Sequence, residues 1–157
     1  MGSIDRADPV ILGHILALHR DLHVHVHAAR AAFGEPGPPD ADRIQSLCDT
    51  LGLLREHLRD HFEQEERGGF LEESVTRMPR LSQAMSQVLA EHPALLAELD
   101  GLIGTLEGVD ISGPSAAGAW TAAERDFDRF ARNLISHERN ENAVVQEGYN
   151  EDLGLVD

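Results

Sequence analysis

The chain has 157 residues and 17.2 kDa, 41% apolar and 26% charged, which is the composition of one globular domain and not of a disordered segment. Thirteen Lys and Arg stand against 28 Asp and Glu, and the resulting formal charge of −15 repels phosphate backbones and anionic lipid, which disfavours nucleic-acid and membrane partners. The lone Cys48 excludes an internal disulfide and a cysteine-rich zinc or iron–sulfur site.

Gly and Pro punctuate the chain at 34–39, from Arg67-Gly68-Gly69 on to Pro79, and from Gly108 to Pro114. Strand signals are missing from the stretches between, because β-branched and aromatic residues are sparse and nothing alternates with period two. Helix starts fit the breaks: Asp40 follows Pro39, Pro79 suits a first helical position, and Ser115 precedes an Ala-rich run. Four helices are predicted, at about 10–33, 40–67, 79–107 and 115–148, within a single domain spanning 1–157.

Each predicted helix carries a seam spaced three, four, three, four. The first reads Leu12, Ile15, His19, Leu22, Val26, Ala29, Phe33; the second reads Ile44, Leu47, Leu51, Leu54, Leu58, His61, Glu65. The third reads Leu81, Met85, Val88, His92, Leu95, Leu99, Leu102, Leu106; the fourth reads Phe127, Phe130, Leu134, His137, Glu141, Val144. That spacing places each set on one helix face turned to a shared core, so the expected fold is all-α: an antiparallel up-down-up-down four-helix bundle.

Every seam holds one histidine where a bundle wants Leu, and two seams add a glutamate one turn on. No Lys or Arg on the seams pairs with Glu65 or Glu141, and an unpaired buried carboxylate is costly enough that coordination of a metal is the natural alternative. The chain also repeats itself in two-helix units. Leu16-x-x-His19-x-x-Leu22 matches Leu89-x-x-His92-x-x-Leu95, and Leu58-x-x-His61-x-x-x-Glu65 matches Leu134-x-x-His137-x-x-x-Glu141. Residues four apart point the same way on a helix. Helices two and four would run parallel, so both glutamates would approach the histidine layer from one side, as two carboxylates bridging two metal ions require. Four imidazoles and two carboxylates suit iron, manganese or zinc, and argue against copper(I) and iron–sulfur chemistry.

The motifs His61-Phe62-Glu63-Gln64-Glu65-Glu66, Glu91-His92 and His137-Glu138-Arg139-Asn140-Glu141 resemble the hemerythrin-like HHE cation-binding family over about residues 10–150. The resemblance implies a non-haem di-iron centre used for oxygen binding, sensing or iron handling. By motif match His19, His61, His92 and His137 would be terminal ligands, with Glu65 and Glu141 as bridges. Oxygen-carrying members have a second histidine one turn after the third-helix ligand, where this chain has Leu96, and end in His-x-x-x-x-Asp where it has His137-x-x-x-Glu141. The departures count against reversible oxygen carriage and favour a sensing or peroxide-reacting member; the expected protein binds, senses or reduces a small oxidant (O2, peroxide or NO), with a peroxide-consuming, catalase-like activity left open. An iron-handling or sensor module without turnover, and a structural zinc or manganese bundle, are the alternatives.

His23 and His57 are further ligand candidates: each lies about 40° around its helix from His19 or His61, and both belong at the same level of an antiparallel pair. His14, His25 and His27 are expected on the surface, and Glu63, Glu66 and Glu138 on a solvated face. Pro93 should kink the helix beside His92, Phe62 and Phe130 should pack in the core, and Tyr149 should close the bundle end. No apolar run approaches a membrane span, the first residues form no charged-then-apolar leader, and Arg6 stands where a myristoylation signal wants Ser or Thr. A soluble, cytoplasmic protein is expected.

Overall fold

The structure is a computed structural model; it describes the backbone of residues 2–68, 76 and 78–152, and the side chains of 13, 16–67, 76 and 78–148. Among the described residues it is helical, without strands. The elements are α1 (Gly2–Gly34), α2 (Ala41–Gly68), a short 3-10 turn (Pro79–Leu81) leading into α3 (Ser82–Glu107), and α4 (Ala116–Asp152). The predicted helices all form. α1 begins eight residues before the expected start, and α4 runs four residues past the expected end. Most of the second break, the Tyr149 side chain, and the side chains of Leu12, His14 and Ile15 lie outside the described residues.

Local chemistry sets the ends. Asp40 caps α2: its Oδ1 accepts the Arg43 N–H at 2.8 Å, and its carbonyl accepts from Ile44 at 3.0 Å. Gly37, at φ +124°, supplies the backbone turn between Pro36 and Pro38 that a side chain would resist. Arg43 then ties this connection down by donating to the carbonyls of Phe33, Glu35 and Gly37, and its guanidinium lies 4.2 Å from the Trp120 ring centre. Pro79 opens a 3-10 turn before α3 proper, and Pro93 sits on the exposed side of a helix that continues through it.

Each helix packs on two others: α1 on α2, α2 on α3, α3 on α4, and α4 back on α1. The contacts run in opposite numerical order. His19 faces His61 while His25 stacks on His57, and Arg55 binds Asp100 while Phe62 stacks on His92. Likewise His137 meets Glu91 while Asn133 meets Glu98, and His19 meets Glu141 while Arg30 faces Asp128.

Among the described residues the seams are buried, except that Val26 and Met85 are only partly covered. Leu47, Leu51, Leu54, Leu58, Leu99 and Phe130 are fully enclosed, and truncating any of these leucines to Ala should cost about 2–5 kcal/mol. The large apolar cluster runs from the Phe33–Trp120–Phe127 end to Leu22, Leu58, Phe62, Leu95 and Leu134. A smaller one gathers Met78, Leu81, Val88, Val144 and Val145. On α3 and α4 the buried residues between the two clusters are polar: His92, His137, Glu138 and Glu141. The polar groups of the seams therefore form one layer, with apolar packing on both sides.

Candidate metal centre

All six seam residues meet in that layer. His19, His61, Glu65, His92, His137 and Glu141 are each buried, with Glu141 at 0% exposure and none above 4%. The 3–4 spacing that aligned them with leucines in the sequence delivers them to the core with those leucines.

Glu141 lies at the middle. Its Oε1 accepts from His19 Nε2 at 2.9 Å and lies 3.9 Å from His61 Nε2. Its Oε2 lies 3.3 Å from His137 Nε2 and 3.8 Å from His92 Nε2. One carboxylate thus faces two imidazoles with each oxygen. Glu65 joins from α2, with Oε1 2.6 Å from His61 Nε2. The donor atoms fall into two groups: His19, His61, Glu65 and Glu141 form one, and Glu65, His92, His137 and Glu141 form the other, with the atoms of each within 4.8 Å of one another. Each group could hold a metal ion, and the two share both glutamates.

Without a cation the layer is electrostatically awkward. Burial first, and then the neighbouring Glu141 carboxylate, push the Glu65 carboxyl far above the usual carboxylate range. Burial would raise Glu141 as well, but His137, His19, His61 and His92 together hold it well below that range. Burial lowers His137, and Glu141 and Glu91 more than reverse this, so its value rises. The buried atoms His61 Nδ1, Glu65 Oε2, both ring nitrogens of His92, His137 Nε2 and Glu141 Oε2 have no hydrogen-bond partner, and Glu65 Oε1 meets His61 Nε2 at close range but without hydrogen-bond geometry. Leaving a buried polar atom unsatisfied costs about 1–3 kcal/mol, so so many in one layer fit a site whose partner is an ion.

Three of the four histidines have a carboxylate behind them. His137 Nδ1 donates to Glu91 Oε1 at 2.8 Å, His92 Nδ1 lies 3.5 Å from Glu66 Oε2, and His19 Nδ1 lies 3.8 Å from Glu138 Oε2. Carboxylates in such outer positions fix the tautomer and ring orientation of metal-binding histidines. Phe62 lies flat on His92, 3.8 Å between ring centres at 7°, and presents its ring edge-on to His61 and His137. It is buried, as expected, and screens the layer from water.

His23 and His57 stand outside both groups. His23 Nε2 donates to Glu138 Oε1 at 2.8 Å, with its side chain 45% exposed, and His57 is exposed and stacks on His25 at 3.9 Å. His25 is half-buried by that stack; burial, and then His57, lower its pKa against an opposing pull from Asp21.

Glu138 departs from the sequence reading. Expected on a solvated face with Glu63, it is 5% exposed and bound by His23, whereas Glu63 is exposed. A signal for it exists. Ala131, Leu134, Glu138, Glu141 and Val145 repeat the three–four spacing as a second buried row on α4. Glu91 sits in a comparable row with Val88 and Leu95, and Glu66, though exposed, is one turn beyond Phe62.

The chain matches no family model, no curated protein and no solved structure.

Proposed function

We propose that the protein is a hemerythrin-like, non-haem di-iron protein that binds, senses or reduces a small oxidant such as O2, peroxide or NO. The observation that carries this reading is the double use of Glu141: one oxygen faces His19 and His61, the other His92 and His137, and Glu65 is common to both groups. Two metal positions that share two carboxylates are the simplest way to satisfy that arrangement. The opposed order of contacts between neighbouring helices supports an antiparallel up-down-up-down bundle, which brings α2 and α4 in parallel, so that Glu65 and Glu141 reach the layer from one side.

In this reading His19 and His61 would hold one ion and His92 and His137 the other, and Glu65 and Glu141 would serve both. The nitrogen-rich, thiolate-free donor set suits iron, with manganese or zinc as the competing ions. Iron would supply open coordination positions and one-electron chemistry toward a small oxidant. The chain's own residues do the rest. Glu91 holds the His137 ring by a hydrogen bond, Glu66 and Glu138 place a negative charge behind His92 and His19, Phe62 keeps bulk water off the layer, and the apolar clusters above and below fix the ligand spacing.

The testing experiment is metal analysis with an ultraviolet–visible spectrum of protein purified without air, before and after oxidant. About two irons per chain and a near-ultraviolet band that responds to oxidant support the reading. A single zinc, with no spectral response, would replace it with a structural zinc bundle. Peroxide consumption would distinguish turnover from a sensor or iron-handling module.

A further inference from the structure

A cleft of about 230 Å³ opens between α1 and α2, lined by Leu18, Asp21, Leu22, His57, Asp60, His61 and Gln64. One of these residues is the buried His61, 3% exposed, whose Nε2 is turned to Glu65 and Glu141 and whose Nδ1 has no hydrogen-bond partner. The other described histidines of the layer have a carboxylate beside Nδ1; His61 has the cleft. The outer wall carries two exposed carboxylates, Asp21 and Asp60, with the His57 imidazole beside them. Arg59 offsets this wall only in part: its guanidinium is shared between Glu56 at 2.7 Å and Asp60 at 3.6 Å, one positive charge against two carboxylates, and Asp21 adds a third. His57 is braced from behind by the stacked ring of His25.

We propose, on the reading that the buried layer is a metal centre, that this cleft is a loading port where a hydrated divalent cation docks on Asp21, Asp60 and His57 before passing to His61. The cleft has room for a cation with about six waters, at ~30 Å³ of liquid volume each. Carboxylates are the ligands that a hydrated hard or borderline cation meets most readily, and an imidazole is the donor for which it gives up water. The next donor inward is the free Nδ1 of His61. With no partner holding that nitrogen, the ring can turn about χ2 and carry it toward Glu65. His137, tied to Glu91, has no such freedom. A chain with a formal charge of −15 concentrates cations all over its surface, and the cleft is where that attraction ends on a nitrogen of the centre.

The port is tested by the rate at which the metal-free full-length chain takes up Co(II), read by stopped-flow from the visible bands of the bound ion. The double variant Asp21→Asn/Asp60→Asn should slow uptake about ten-fold, and His57→Gln should slow it less, while the final absorbance stays that of the wild type. Wild-type uptake should slow as salt is raised, and the double variant should lose much of that dependence. Glu98→Gln, in the opposite cleft lined by Glu91, Asn133, Ser136 and His137, should leave the rate within about two-fold. Equal rates in the wild type and the double variant would overturn the port and leave the centre standing, as would equal slowing by Glu98→Gln. A wild type that binds no Co(II) at equilibrium would defeat the centre and the port together. All the substituted residues lie on the surface or in an open cleft, and circular dichroism of each variant checks that the fold is kept.

Discussion

Both halves of the internal repeat deliver a buried His-x-x-x-Glu to the same layer, yet they hold their histidine differently. In the α3–α4 half, His137 is clamped from both sides, with Nε2 toward Glu141 and Nδ1–H on Glu91. In the α1–α2 half, His61 has Glu65 and Glu141 on one side, and on the other an unpartnered nitrogen and a cleft walled by Asp21, Asp60 and His57. The repeat preserves the inner donors and lets the outer ones diverge. The inner residues are alike in the two halves, whereas the outer neighbours leave the His137 side held and the His61 side facing a cleft. His23, a ligand candidate by its place beside His19, is taken up by Glu138, so the difference between the halves lies behind the histidines and not among the inner residues.

The largest effect should come from the residue that belongs to both groups. Glu141→Ala removes the carboxylate facing all four histidines, so metal content should collapse at both positions, and calorimetric titration should show no tight binding. Glu65→Ala should behave similarly, while Glu63→Ala, on the exposed face, should titrate as the wild type. Loss of one metal only from Glu141→Ala would break the idea of a shared bridge.

Next come the outer carboxylates. Glu91→Gln and Glu138→Ala should each weaken metal binding about 10–100-fold, the usual scale for the partner behind a metal-bound histidine. The α1–α2 half offers no equivalent to remove at His61, so its ion should be the first lost from Glu138→Ala, in which His19 is released as well. Equal affinities for Glu138→Ala and Glu63→Ala would return Glu138 to the solvated face.

Acid and base should act on the metal-free protein in a predictable sense. Glu65 is raised from 4.5, so the metal-free fold keeps a proton that the unfolded chain has released, and its stability falls as pH climbs above 4.5. His137 is raised from 6.5, so its contribution is complete below 6.5 and is lost as pH rises past that value. Glu141, lowered from 4.5, contributes above 4.5 and loses that contribution only in stronger acid. Metal binding must displace the Glu65 proton and favours neutral imidazoles. The rise in Tm on adding metal should therefore widen from about pH 5 to about pH 8, and calorimetry in buffers of different ionisation enthalpy should detect proton release on binding. A Tm increment independent of pH would contradict the assignment of that proton.

The smallest effect is expected from His23→Leu. Its bond to Glu138 is lost and its half-exposed side chain is replaced, but the metal content per chain should stay that of the wild type, with affinity lowered by less than in Glu138→Ala. Loss of a whole metal equivalent would make His23 a ligand after all.

Most of the fold and the inner set of the site were legible because both follow from one periodicity. A histidine or glutamate in register with Leu58 or Leu134 must go where those leucines go, and the structure buries His61, Glu65, His137 and Glu141 beside them. What escaped was whatever one seam per helix cannot express. α4 is buried over a wider face than a single row, so Glu138, one residue beyond His137, passed for surface. The cleft was invisible because Asp21, Asp60 and His57 share no motif; only the packing of α1 on α2 brings them around His61. The helix ends lay beyond the seams, where neither spacing nor a cap signalled that α1 continues back to Gly2.

The most direct test of a shared two-metal layer is the metal-to-protein ratio of chain produced with iron and purified anaerobically, measured by elemental analysis alongside Glu141→Ala. Two irons per wild-type chain, falling toward none in the variant, is the predicted result. One metal per wild-type chain, or a ratio unmoved by the loss of Glu141, would contradict it.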